Sequence, residues 1–158
     1  MMYRLDPRIK GIWILKNLLL SILVSMGVLF YELTRMFRFD DSILFIHGFV
    51  AFMVFIGMSI IGIVFPFLSY HYWKYEIRDN ELYIERGVLT KIRTVAPRTR
   101  IQHLDVSQGI FERMFGLARL VIYTAGSRGA DIIIPGLEVE FADQLRDVLK
   151  NVQNEDIL

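Results

Sequence analysis

The chain has 158 residues, no Cys, 18 Lys+Arg against 17 Asp+Glu, and 54% hydrophobic residues. That share exceeds the ~45–50% usual for a soluble domain and points to membrane segments plus one small domain. The lack of Cys excludes disulfides, thiolate metal sites and cysteine nucleophiles, and the near-zero net charge argues against nucleic-acid binding.

Arg4, Arg8, Lys10 and Lys16 face one acid, Asp6, before the uncharged run Asn17–Tyr31. Extended back to Ile12, that run reaches about the 20 residues a bilayer span needs, with Lys16 snorkelling to the headgroups. A signal peptide shares this grammar, but no small-residue cleavage site precedes Tyr31-Glu32-Leu33-Thr34-Arg35. A retained helix over about 12–31 is therefore expected. After the polar connector Glu32–Asp41, thirty-two residues from Ser42 to Trp73 carry no charge. They predict a second span over about 43–66, kinked or ended at Pro66, which lacks an N–H.

Tyr70, Tyr72 and Trp73 before Lys74 read as an interfacial aromatic belt. Basic residues number four before the first span and two in the connector, with Lys74, Arg78, Arg86, Lys91 and Arg93 after the second. The positive-inside rule then gives a two-pass plasma-membrane protein with both termini cytoplasmic. His47 and His71 lie near opposite ends of the second run with nothing ionisable at mid-depth, which argues against a channel or transporter. Ser21 and Ser25 form a small-xxx-small pair that lets helices approach closely.

Residues 1–73 are thus a tail and two spans, and 74–158 are a separate domain with 12 Lys+Arg and 13 Asp+Glu. Its runs YEIR, ELYIERG, VLTKIRTV, RTRIQHLDVSQ, RLVIYTAG and ADIIIPG are short, rich in β-branched and aromatic residues, and separated by turn residues such as Asp79-Asn80 and Gly126-Ser127-Arg128-Gly129. Ile110, Phe111, Met114 and Phe115, between Gly109 and Gly116, predict one or two helical turns covering an edge or opening of the sheet. Phe141, Leu145, Val148, Leu149 and Val152 trace a helical stripe, with Glu138 and Glu140 near its start and Lys150 near its end as the helix dipole favours.

Several short motifs run through this domain: Tyr75-x-Ile77, Gly87-Val88-Leu89-Thr90, Arg100-Ile101-Gln102, Val106-x-Gln108-Gly109, Arg113-x-Phe115-Gly116-Leu117-Ala118, Thr124-Ala125-Gly126 and Ile134-Pro135-Gly136. With the two preceding spans, they resemble the bacterial pleckstrin-homology-like (PH-like), membrane-flanked family often called YdbS-like. The resemblance implies an α+β membrane protein: a two-helix transmembrane hairpin, then a PH-like curved antiparallel sheet or partly closed barrel capped by a C-terminal α-helix. It implies binding or scaffolding at the membrane, often beside a larger relative with several such domains, and some members are linked with antimicrobial-peptide resistance. It implies no catalytic residues and no cofactor.

Charge placement gives the candidate binding surface. Arg86, Lys91, Arg93, Arg98 and Arg100 fall in a fifteen-residue stretch without an acid, whereas residues 131–158 hold seven acids against Arg146 and Lys150. Read as strands, Lys91/Arg93 and Arg98/Arg100 each project from one face, and each basic residue contributes about 1 kcal/mol near an anionic leaflet. The candidate lipid- or partner-binding residues are Lys91, Arg93, Arg98, Arg100, Gln102, Gln108 and Arg113. Gln102 and Gln108 flank Leu104 and Val106, and either partner contact or backbone satisfaction fits them. The first hairpin loop, Arg78-Asp79-Asn80-Glu81, has two acids to one base, which disfavours specific phosphoinositide binding. His103, Asp105 and Ser107 share a strand face, but neighbours of that kind sit ~6.5–7 Å apart and no nucleophile elbow accompanies them. The expected function is non-enzymatic assembly at the cytoplasmic membrane face with related PH-like proteins or a second copy. Anionic lipid headgroups are the alternative ligand.

Overall fold

A two-residue strand and two long helices precede six further strands, which complete two antiparallel sheets, and a closing helix in the computed structural model, which describes residues 2–39, 44–78, 80–125 and 132–155. Asp40, Asp41, Asp79 and the Gly126–Gly129 turn lie outside the described residues, as do the side chains of His47 and Val152. The chain divides into two compact units, Trp13–Phe67 and Met1–Ile12 with Leu68–Leu158.

The first unit holds most of α1 (Ile9–Phe39) and α2 (Leu44–Tyr72), of 31 and 29 residues. At ~1.5 Å per residue, both exceed the ~30 Å hydrocarbon thickness, and Ile9–Arg35 and Gly48–Tyr72 are apolar enough to cross a membrane. Leu23, Phe30 and Ile61 point outward, while Ser21 is fully buried. Its hydroxyl lies 3.3 Å from that of Ser59, and Ser25 donates to the Ser21 carbonyl at 2.7 Å.

Pro66 neither ends α2 nor fixes its boundary: the helix runs six residues further, to Tyr72. Proline removes the bond that would reach the carbonyl four residues back, which is that of Gly62. Asn17 Nδ2 donates to that carbonyl at 3.1 Å, so the acceptor orphaned by Pro66 is satisfied from α1. A Cβ on Gly62 would sit 2.9 Å from Asn17 Cβ, and glycine alone permits this approach.

In the second unit, β1 (Met2–Tyr3), β2 (Lys74–Ile77), β3 (Glu81–Arg86) and β4 (Ile92–Pro97) form one sheet in that order. The strands β5 (Ile101–Ser107), β6 (Leu117–Thr124) and β7 (Ile132–Glu138) form the other. A 3-10 turn, Arg98–Arg100, separates β4 from β5, because Pro97 has no N–H to continue a ladder. Alternation places Tyr75, Leu82, Ile84 and Ala96 inside the first sheet, and Leu120, Ile122 and Ile134 inside the second. The closing helix α4 (Val139–Glu155) buries Ala142, Leu145 and Leu149. Val148, expected on its buried stripe, is exposed, since 142, 145 and 149 already complete one face at 3.6-residue spacing.

The N-terminal tail belongs to this unit. Met2 and Tyr3 pair with Glu76 and Tyr75, and Asp6 N donates to Gly136 O at 2.8 Å. Leu5, Ile9 and Ile12 are buried. Gly136 has φ +62°, and a Cβ there would meet Ile9 Cβ at 2.7 Å. The aromatic belt is correspondingly revised. Trp73 is buried edge-on to Tyr75, and Tyr70 donates to Leu5 O at 3.1 Å while Lys10 lies 4.6 Å over its ring. Of the three aromatics, Tyr72 alone is exposed.

Candidate functional surface

Strand register gives the β domain two distinct ends. β2 leaves α2 with Lys74 opposite Glu85, and β3 returns, pairing Arg86 with Ile92. The turn Gly87–Lys91 therefore lies at the helix end, where the chain emerges from α2. In the other sheet, Ser107 pairs with Arg119, and α3 (Ile110–Met114) bridges β5 and β6 at that end. The Phe115 ring packs on Gly11 in the first turn of α1, and Arg8 Nη1 donates to Phe115 O at 3.4 Å. The opposite, distal end holds Asn80, Arg98–Arg100 and Ala125. It is tied by Arg98 N donating to Asn80 O at 3.0 Å and Ala125 N donating to Arg100 O at 2.8 Å.

The basic residues divide between these ends. Lys91 and Arg93 converge on Glu85, with Lys91 Nζ 2.6 Å from Oε1 and Arg93 Nε 3.3 Å from Oε2. Tyr83 adds a hydroxyl donor at 3.0 Å. The Lys91 hydrogen bond, aided by Tyr83 and by both positive charges, holds the Glu85 carboxyl below its ordinary range against the opposing effect of desolvation. Arg86 is exposed nearby. Arg98 and Arg100 lie six strand residues away, about 20 Å at ~3.3 Å per residue.

Lys91 and Arg93 do project to one side, onto Glu85, whereas the strand-borne pairing of Arg98 with Arg100 is corrected by this geometry. Lys91 precedes β4, and Arg98 and Arg100 occupy a 3-10 turn whose rotation sends them apart. Arg98 is only 7% exposed, and its Nε has no hydrogen-bond partner among the described residues. Arg100 is exposed at the distal end.

The remaining candidates occupy separate places. Gln102 sits at the register shift between Ile101 and His103, on a depression of about 160 Å³ shared with His103, Leu104, Arg146 and Lys150. Gln108 Nε2 donates to Leu117 O at 2.8 Å, a backbone-satisfying role. Arg113 is exposed on α3. His103 Nε2 lies 2.7 Å from Asp105, both side chains exposed.

The candidate set omitted the N-terminal contribution. Tyr3 stacks on Tyr75 with centroids 5.7 Å apart and tilts against Phe141 at 6.4 Å. Arg8 clasps Asp6 at 2.9 Å, and its hydrogen bonds hold that carboxyl below the usual range. Ile9 and Ile12, three residues apart on the first turn of α1, carry the periodic signal for this contribution, because Leu5 is buried from the non-helical segment before it.

Two relatives share this sequence pattern. The chain is 29% identical over 154 residues to the UPF0699 transmembrane protein YdbS of Bacillus subtilis (strain 168), covering 94% of this chain and 91% of that one. It is also 29% identical over 102 residues to the UPF0699 transmembrane protein YdbT of the same organism, covering 60% of this chain and 21% of the longer relative. No solved structure matches at a significant level. The bacterial PH domain model matches residues 12–153, nearly the whole chain including both long helices, and the chain belongs to the bacterial PH domain family.

Proposed function

We propose that this chain is a non-enzymatic, membrane-anchored binding module. Its two helices hold the PH-like domain at the cytoplasmic face, with both termini cytoplasmic, and the domain assembles with another chain of its own kind. The observation that carries this reading is the open edge of the four-stranded sheet. β1 covers one edge, but β4 is unpaired on its outer side among the described strands, with Ile92 46% and Val95 49% exposed. An edge strand of this kind offers backbone groups for strand addition, which charged residues ordinarily discourage. Here Lys91 and Arg93, the charges placed to do so, are drawn onto Glu85.

Two differently tagged copies of the full chain, co-expressed and extracted in mild detergent, test this. Co-purification is expected, and Ile92→Lys with Val95→Lys should reduce it severalfold. Unchanged co-purification in that variant would remove β4 as the assembly edge. A role in cell-envelope stress or antimicrobial-peptide resistance is supported by the family resemblance alone, and peptide sensitivity of a deletion strain tests it.

The second reading, contact with anionic headgroups, is favoured by the net positive charge at the helix end, where Arg86, Lys91 and Arg93 outnumber the one acid, Glu85, that Lys91 and Arg93 share. Each basic residue near such a surface contributes about 1 kcal/mol.

A further inference from the structure

The short helix α3 is built inside out. Its charged residue, Glu112, is only 6% exposed, while Ile110 and Met114 are 80% and 69% exposed. Those two are four residues apart and so share one helix face. Glu112 is locked inward by Arg119, whose Nη2 lies 3.2 Å from its carboxylate. Gly109 clears the space for this pair, since a Cβ there would collide with the Glu112 carboxylate and with Arg119 Nη2. Burial of the carboxylate thus fixes the rotation that turns the apolar face out. At the tip of the β3–β4 turn, Leu89 is 93% exposed, the most exposed large hydrophobic side chain of the described residues.

Single exposed apolar side chains are ordinary; what sets these three apart is where they lie and the inward lock of Glu112 that turns two of them out. Both features lie at one end of the domain. β3 returns antiparallel to β2 and extends past Lys74, so Leu89 comes back to the level at which the chain leaves α2. Beside α3, Phe115 touches Gly11, two residues into the apolar stretch of α1. The basic residues at this end are Arg86, Lys91, Arg93 and Arg113, together with Arg8 and Lys10 at the start of α1; Glu85 pairs with Lys91 and Arg93, and Asp6 and Glu138 pair with Arg8.

We infer that the helix end of the domain is itself seated in the membrane interface, with Leu89 on the hairpin tip and Ile110 and Met114 on α3 entering the headgroup–acyl boundary. Apolar side chains enter this layer and the basic residues around them meet anionic headgroups, the arrangement of interfacial amphipathic elements. The inference rests on the reading of α1 and α2 as membrane spans. It assigns the lipid surface, rather than a protein partner, to these three side chains, and leaves the β4 edge free to bind.

The absence of Cys makes the full chain ready for single-site spin labelling. Leu89→Cys, Ile110→Cys and Met114→Cys report the proposed contacts, and all three positions are exposed enough to accept a label. Asn80→Cys and Ala125→Cys report the distal end, and Leu23→Cys reports α1. In vesicles of phosphatidylcholine with phosphatidylglycerol, accessibility to oxygen is compared with accessibility to a water-soluble nickel chelate. The oxygen-to-nickel ratio at 89, 110 and 114 should be several-fold above that at 80 and 125. Ratios equal to those controls would overturn the inference, as would low access to both reagents with dipolar broadening between copies, which means protein contact. A Leu23 label open to nickel would overturn the membrane-span reading and this inference together. A lipid-embedded Leu23 label with water-exposed tips would overturn the inference alone.

Discussion

The Trp13–Phe67 unit turns Leu23, Phe30 and Ile61 outward and keeps Asn17, Ser21 and Ser59 along its helix–helix seam. The β domain does the reverse, burying Leu82, Leu120, Ile122 and Ile134 and presenting Lys91, Arg93 and Arg100 to water. Apolar side chains gain nothing by leaving lipid for a helix contact, so the helix pair uses small residues and hydrogen bonds for its contacts. In water, apolar burial is the dominant driving force. The contrast shows which solvent each surface is built for, and α3 and Leu89 follow the rule of the helices although they belong to the domain.

Side-chain truncation should separate the two regimes most sharply. Leu120 is fully buried in the domain, and Leu120→Ala should cost about 2–5 kcal/mol, the transfer and cavity cost of a core leucine. Leu23 on α1 is exposed, and Leu23→Ala should stay within about 0.5 kcal/mol, as surface substitutions do. Urea unfolding of the full chain in detergent, followed by circular dichroism, compares them. Equal losses would mean that Leu23 packs against protein and that the helix pair does not face lipid.

The sequence made much of this architecture legible because periodicity and charge are local signals. The two apolar runs, six short strands from Lys74 onward and the final amphipathic helix stand as expected. Where the reading failed, the deciding partner was distant in sequence. Pro66 is tolerated because Asn17, forty-nine positions earlier, supplies a donor. Trp73 and Tyr70 looked interfacial by composition, yet Tyr75 and Leu5 draw them into the domain. The candidate basic surface was legible only as a stretch of like charge. Whether Arg98 pointed out or in depended on a 3-10 turn that strand alternation does not register, and Glu85 was not recognised as the shared partner of Lys91 and Arg93.

The helix seam offers a smaller test of the same contrast. Asn17→Leu keeps the Cβ contact with Gly62 but removes the side-chain donor to the carbonyl that Pro66 leaves free. Interhelical hydrogen bonds in membranes are worth about 0.6 kcal/mol on average and up to about 1.7, so a loss in that range is expected. Pro66→Ala restores an N–H able to reach the Gly62 carbonyl, and in that background the Asn17→Leu cost should shrink. Detergent-driven unfolding of the four variants gives the coupling. An Asn17 cost unchanged by Pro66→Ala would show that the side chain acts through packing, and the polar-seam account of α1 and α2 would fail.

At neutral pH the smallest effect is expected at Tyr75, on the domain side of the comparison. Burial, aided by the nearby Tyr3, pushes its phenol up to about 12 from 10.0. The fold holds the proton more tightly than the unfolded chain, so this group's contribution is fully present below pH 10 and is lost as pH rises through about 12. Tyr75→Phe removes the ionisable group while retaining the ring that stacks on Tyr3 and meets Trp73. The variant should match the parent at pH 7 and unfold at higher pH, and one of the seven tyrosines that titrates late by phenolate absorbance should disappear. An unchanged alkaline midpoint would mean that the Tyr75 hydroxyl reaches water, and that the N-terminal strand does not seal this edge of the domain as Tyr3 stacking on Tyr75 requires.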